Sequence, residues 1–209
     1  MIKDALFKLT HEIKNPLAVC KGYLDMFDIN KKDKSEKYIS IMRQEIDRSL
    51  NIMSDFVEFN KIKVVKERID LSMLLEDVYD SFKILISNKN INLLYNNKKE
   101  IYVIGDYERL KQVIVNLVKN SLESINTHGR IEIFTEIKND KIEVIIKDNG
   151  SGMNKETLDQ IKNMFFTTKS NGTGLGVALS NEIIKAHNGE LLFTSKENYG
   201  TEAKIILPI

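Results

Sequence analysis

Two apolar stripes at helical spacing constrain the first third of this 209-residue chain more than any other feature. The first runs through Leu6, Leu9, Ile13, Leu17, Cys20, Leu24 and Phe27, and the second through Ile39, Met42, Ile46, Leu50, Met53, Phe56 or Val57, and Asn60. Steps of three and four put each set on one face of a helix, so the spacing predicts helices over 2–29 and 37–61, joined by the short lysine-rich turn Asn30–Glu36. Two such helices make an antiparallel hairpin. One hairpin cannot cover its own stripe on both sides. Two copies can, as a four-helix bundle with two-fold symmetry, which predicts a homodimer. The competing arrangement packs the stripe on the rest of the same chain. The chain opens inside the first helix, with no cap before Ile2, as expected of a fragment cut from a longer protein.

The first helix carries the stretch Lys8-Leu9-Thr10-His11-Glu12-Ile13-Lys14-Asn15-Pro16-Leu17. His11 falls off the apolar stripe, so its imidazole faces solvent. Asn15 is four residues from His11 and three from Glu12, which lets all three share one surface region. Pro16 removes the N–H that would bond the Glu12 carbonyl, so a bend is expected just beyond the histidine. An exposed histidine beside a carboxylate is a plausible nucleophile, although a lone surface histidine is ordinarily no more than that.

Composition excludes several classes. Hydrophobic residues make up 42% of the chain and charged residues 29%, which is ordinary for a soluble globular protein, and the net charge of +1 provides no basic field for nucleic acid. Cys20 is the single cysteine, so no intramolecular disulfide can form and a reducing compartment is expected; on the stripe it reads as a small core residue. No apolar run approaches the roughly 18 residues of a membrane span, and no signal peptide is expected.

Lys61–Arg68 is charged and aperiodic, and the domain boundary is placed there, between 1–64 and 65–209. Asp70 reads as the N-cap of a helix running to about Ser87. Strands are expected at Ile91–Tyr95 and Ile101–Ile104, then a helix from Tyr107 to about Asn126. Arg130–Ile137 and Lys141–Lys147 form a hairpin about Asn139-Asp140. Helices at Asn154–Asn163 and Gly176–His187 and strands at Leu191–Thr194 and Glu202–Leu207 complete an α+β sandwich, with helices on one face of a mixed sheet. His128 in a turn and His187 at a helix end read as structural, and no Cys/His cluster supports a zinc site.

The chemistry of this second domain lies in three places. Gln112, Asn116, Lys119, Asn120 and Glu123 share one polar strip, opposite Leu110, Val113, Ile114, Leu117, Val118 and Ile125. Asparagines at i and i+4 can turn oxygens toward Mg²⁺, although a plain solvated face would look the same. Five of the ten glycines lie in two later groups, Asp148-Asn149-Gly150-Ser151-Gly152 and Gly172-Thr173-Gly174-Leu175-Gly176. Glycines there let backbone N–H groups approach phosphate oxygens, aided in the second group by a helix N-terminus. The second group is no dinucleotide fingerprint, because no strand precedes it. Between them Met164-Phe165-Phe166-Thr167-Thr168-Lys169 supplies two aromatics and a cation, as a mobile lid over a nucleotide would.

Taken together, the chain resembles the sensor histidine kinases of two-component signalling from its hairpin to Leu207-Pro208. The resemblance rests on five motifs in the family's order: the phosphoacceptor box His11–Pro16, the asparagine box Asn116–Asn120, the first glycine box Asp148–Gly152, Phe165–Lys169, and Gly172–Gly176. It implies an ATP-binding sandwich of the kind shared with gyrase, Hsp90 and MutL. Asn120 would ligate Mg²⁺, with Asn116 beside it near the phosphates and Lys119 in the same box. Asp148 would accept from the adenine amine, with Gly150 in the same loop and Thr201 nearby. Gly152, Gly174 and Gly176 would shape the pocket and lid, together with Phe166, Thr168, Lys169, Gly172, Thr173 and Leu175. His11 would attack the γ-phosphate, Glu12 would orient or deprotonate it, and Asn15 would position a water for dephosphorylating the partner, a response regulator receiver domain. ATPases of this fold use a glutamate at about the place of Asn116; a carboxamide cannot take a proton, so such a site should wait for an external nucleophile.

Two departures are small: Ser121 and Ser124 stand where alanine is common, and Ser170-Asn171 makes a short link. The resemblance further implies a cytoplasmic catalytic portion of a sensor that can be membrane-anchored upstream. Two other readings compete. A non-catalytic docking module would be expected to have lost some of Asn120, Asp148 and the glycines. A plain ATPase or serine kinase is disfavoured by Asn116 and the His11 box.

Overall fold

In the computed structural model, which describes residues 2–28, 32–86, 90–96, 100–169 and 172–209, both stripes form helices, α1 (Ile2–Asp25) and α2 (Lys32–Asn60). Of the expected turn, Asn30 and Lys31 lie outside the described residues, whereas Lys32–Glu36 are already helical. That run has neither glycine nor proline to stop a helix growing backwards from Lys37. The chain separates into two units: Met1–Lys61 with Asn163–Gly176, and Ile62–Lys162 with Val177–Ile209.

In the first unit α1 runs helical through Pro16, which is itself buried. Ser35 donates to Asp28 O at 2.7 Å and ties the start of α2 to the end of α1. Cys20 is half-buried with Sγ 3.4 Å from Met42 O; burial and then the Glu45 carboxylate push its thiol pKa up, so it stays a protonated packing group. The stripe itself is uncovered: Leu17, Leu24, Ile46, Leu50, Met53 and Val57 are 46–63% exposed. A single chain leaves these side chains in water.

The second unit is built on a five-stranded mixed sheet in the order β2-β4-β5-β7-β6. Its strands are β2 (Ile91–Asn96), β4 (Gly129–Lys138), β5 (Lys141–Asp148), β6 (Glu190–Lys196) and β7 (Gly200–Pro208). β2 runs parallel to β4, and the other pairings are antiparallel. The β4–β5 turn places Asn139 and Asp140 at φ 51° and 57°, the left-handed pair that a two-residue hairpin needs. Alternate residues make one apolar face through Ile133 opposite Ile146, Val144 opposite Ile205 and Ile142 opposite Leu207, all buried. Helices α3 (Leu71–Leu85), α4 (Tyr107–Glu123) and α6 (Gly176–Ala186) bury their own apolar faces here; α5 (Lys155–Gln160) is a short helix capped by Asn154.

One strand escaped the sequence. β1 (Glu67–Asp70) pairs antiparallel with β3 (Tyr102–Gly105) in a separate two-stranded sheet, its first two residues in the stretch read as a charged, aperiodic link. Only Ile69 of its four residues is fully buried, too little apolar alternation to mark a strand. Asp70 does cap α3, accepting from Ser72 N and Met73 N at 2.9 and 3.1 Å; of the helix end expected near Ser87, that residue lies outside the described ones. Asp106 caps α4 in the same way, accepting from Arg109 N at 3.1 Å. The two caps stand on neighbouring elements, and Tyr107 joins their helices by donating to Asp77 at 2.5 Å. Burial and that carboxylate push the Tyr107 phenol up to about 12. His187, fully buried, is the structural residue expected: Asp106 N donates to Nε2 at 2.9 Å, and Nδ1 lies 2.8 Å from Ile183 O, which puts the ring hydrogen on Nδ1.

Candidate functional site

On α1, His11 and Asn15 are exposed and Glu12 is half-buried. The Phe7 ring meets the His11 imidazole edge-on, centroids 4.5 Å apart at 67°, one helical turn earlier. The imidazole thus has one aromatic neighbour while the residue stays exposed.

In the sheet unit, Asp148 is reached by following the inward row of β5. Ile142, Val144 and Ile146 are buried by alternation, and the next inward position is Asp148, 5% exposed and paired with Ile131. A carboxylate at that depth needs donors. Three converge on Oδ1: Gly150 N at 2.9 Å, Thr201 N at 3.2 Å and the Ser124 hydroxyl at 3.1 Å. The Ser124 hydrogen is shared with Ser121 O at 2.8 Å. Among the described residues no donor reaches Oδ2, whose lone pairs stay available. Beside it Gly152 sits at φ 63°, and a Cβ there would stand 2.0 Å from Lys196 O and 3.1 Å from Gly200 O. The loop after β5 can lie against the β6–β7 turn only with glycine at that place.

On α4, Asn116 is half-buried and its Nδ2 donates to Ser180 Oγ of α6 at 3.0 Å. One N–H of the carboxamide is thus engaged, and Oδ1 remains an acceptor. Asn120 follows one turn later, half-buried, and Lys119 is exposed, 3.9 Å from Glu123. Carboxamide oxygens are hard donors suited to Mg²⁺, which prefers one or two protein oxygens and keeps its phosphates and waters. Among the described residues no cluster of three or more His, Cys, Asp or Glu stands ready for a metal, and phosphate oxygens would supply the rest of such a shell.

The lid residues belong with the hairpin. Phe165, at φ 64°, donates its N–H to Gly174 O at 2.9 Å and so closes the segment on itself. Gly174 is also left-handed, at φ 68°, and a Cβ there would come 2.4 Å from the Phe165 carbonyl carbon. The Phe165 ring stacks on Phe56 of α2 at 6.3 Å, and the Thr173 hydroxyl donates to Asp55 Oδ2 at 2.7 Å while accepting from Leu175 N at 3.3 Å. Leu175 is fully buried, Phe166, Lys169, Gly172 and Gly176 are half-buried, and Thr168 is exposed. Ser170-Asn171 lies outside the described residues. Grouping these residues by sequence with the nucleotide domain misses the acceptor and the ring that α2 offers them.

Sequence reasoning did not find Ser180, Asp55 or the stack of Phe165. Small hydroxyls and carboxylates far away in sequence carry no pattern. Ser124 alone had a signal, since it follows Asn120 by one turn on the same helix.

Comparison with known proteins gives two family matches: a histidine kinase-, DNA gyrase B- and HSP90-like ATPase over residues 105–209, and a His kinase A (phospho-acceptor) domain over 3–64. Sporulation kinase A of Bacillus subtilis (strain 168) is 34% identical over 206 residues, 96% of this chain and 33% of that protein. The signal transduction histidine-protein kinase AtoS of Escherichia coli (strain K12) is 32% identical over 96% of this chain and 34% of its own length. The chain thus spans about a third of these two curated relatives, and half of sporulation kinase B from the same Bacillus strain. Among solved structures, the catalytic domain of histidine kinase ThkA superposes with TM-score 0.63 at 32% identity, over 69% of this chain and 95% of that one. ThkA in complex with the response regulator protein TrrA superposes with TM-score 0.80 at 27% identity, over 98% of this chain and 61% of that one.

Proposed function

The chain belongs to the sensor histidine kinases, and on that premise we propose that it transfers the γ-phosphoryl group of ATP to His11 and from there to an aspartate of a response regulator receiver domain. In the first step the P–O bond to ADP breaks, a P–N bond to the imidazole forms, and Glu12 takes the ring proton; in the second the P–N bond breaks as the aspartate oxygen attacks. The observation that carries the reading is the buried Asp148, with one oxygen saturated by three donors and the other left to accept an adenine amine. Asn116 supports transfer over hydrolysis, because its carboxamide, already donating to Ser180, cannot take a proton from water. Asn120 is the Mg²⁺ ligand in this reading, and the ion would neutralise charge on the phosphates. Gly150 and Gly152 shape the base pocket. Phe166, Thr168, Lys169, Gly172, Thr173, Gly174, Leu175 and Gly176 form the lid, Lys119 adds charge near the phosphates, and Asn15 aligns a water for dephosphorylating the regulator. The domain boundary falls between residues 64 and 65, and the cytoplasm is the proposed location; no described helix is long and apolar enough to cross a membrane.

The test is incubation with γ-labelled ATP and Mg²⁺ followed by acid and alkali washes. Label lost in acid and kept in alkali is the expected phosphohistidine; label stable to acid would assign a hydroxyl acceptor and overturn the reading.

The same premise makes the protein a homodimer, supported by the exposed stripe from Leu17 to Val57. Leu50→Glu changes a side chain already 58% exposed, so the hairpin itself should still form. Light scattering is expected to find two chains per particle in the parent and one in the variant. A dimer surviving the substitution would move the interface elsewhere.

A further inference from the structure

Ser195, in β6 opposite Thr201 in β7, takes no part in the contacts assigned above. Its hydroxyl meets three neighbours: Met153 N at 2.9 Å, Gly200 O at 2.9 Å and Thr201 Oγ1 at 2.9 Å. A hydroxyl has one hydrogen and two lone pairs. A carbonyl can only accept, so the Ser195 hydrogen goes to Gly200 O. Its oxygen then accepts from Met153 N–H and, by elimination, from the Thr201 hydroxyl. The Thr201 hydrogen is thereby committed, and that oxygen can turn only lone pairs toward a ligand.

The neighbours of Ser195 are the pieces of the pocket. Met153 directly follows Gly152, whose backbone lies against Lys196 O and Gly200 O. Thr201 N is one of the three donors that hold Asp148 Oδ1. One hydroxyl therefore ties the loop after β5 to the β6–β7 turn and sets the polarity of a second hydroxyl beside the carboxylate.

We propose that Ser195 is a positioning residue that makes the base pocket selective for a 6-aminopurine over a 6-oxopurine. The inference rests on the nucleotide-binding reading above. With Ser195 in place, a base amine meets acceptors at both Asp148 Oδ2 and Thr201 Oγ1, and a base carbonyl meets lone pairs at both. Without it, the Thr201 hydroxyl turns freely and donates to the carbonyl, so discrimination relaxes even while Asp148 remains.

Competition of ATP and GTP against a fluorescent ATP analogue, on the whole chain with Mg²⁺, tests this. The parent is expected to prefer ATP. In Ser195→Ala the preference should shrink by about tenfold, the value of one hydrogen bond gained by the wrong base. Ser195→Thr, which keeps the hydroxyl, should retain the parent ratio. If the alanine variant does not fold, Ser195→Cys, nearly the same size but a weak acceptor, should show the same loss. A purely structural role would weaken both nucleotides alike, and an unchanged ratio in a folded variant overturns the proposal. A parent that binds neither nucleotide would overturn the nucleotide reading itself, a result distinct from an unchanged ratio.

Discussion

His11→Gln is expected to take up no label from γ-labelled ATP above background, while its affinity for ADP stays at the parent value. Glutamine offers a carboxamide whose lone pair is delocalised, so it cannot form the P–N bond. The substitution should leave the fold alone. His11 is exposed, its ring contact is the edge of Phe7, and exposed changes of this kind usually stay within about 0.5 kcal/mol. The groups proposed to hold the nucleotide, Asp148, Gly152 and Thr201, belong to the other unit. Radiometric labelling and isothermal calorimetry on the same preparation separate the two effects. Undiminished label would remove His11 from the reaction, and a parallel loss of ADP binding would mean that the variant is damaged more widely.

Gly152→Ala is expected to lower nucleotide affinity by at least roughly tenfold, a loss of about 1.4 kcal/mol or more. Two costs act together. The residue sits at φ 63°, where an L side chain loses about 1–2 kcal/mol. The added methyl would also stand 2.0 Å from Lys196 O and 2.8 Å from its carbonyl carbon, which are backbone atoms that cannot rotate away. Relief requires the β6–β7 turn to part from the loop after β5. That movement strains the bond from Met153 N to Ser195 and the bond from Asn198 N to Ser151 O, and it shifts Thr201 N away from Asp148. Gly22→Ala is the control: nothing lies within 4 Å of a Cβ there, and alanine in a helix is worth about 0.5–1 kcal/mol over glycine. Calorimetry with ADP should separate the two, the first variant weak and the second like the parent. Equal affinities would mean that the loop and turn do not form the cradle.

The sandwich was legible because its signals are local. The stripes of α1 and α2, the cap Asp70 and the left-handed pair Asn139-Asp140 each depend on residues within one or two turns of one another. Where local signals were thin the reading drifted. β1 buries one full side chain and hid in a charged run, and the start of α2 was set late because polar helix formers look like a turn.

The candidate site divides along the same line. The motifs point to the residues proposed to carry the chemistry: His11 with Glu12 and Asn15, the asparagines of α4, Asp148 and the glycines after β5. What they do not contain is the polarity of those groups. That Asn116 spends an N–H on Ser180 and that Asp148 loads three donors onto one oxygen are facts about partners as many as 64 positions apart. The lid is the clearest case, since its composition marks it as a cover for a nucleotide, yet Phe165 stacks on Phe56 and Thr173 bonds Asp55. Side-chain type and spacing are properties of the chain, and they determine which elements form and which groups can react. The direction of a hydrogen bond and the side to which a loop adheres depend on neighbours that only the folded chain brings within reach, and these the tertiary structure alone decided.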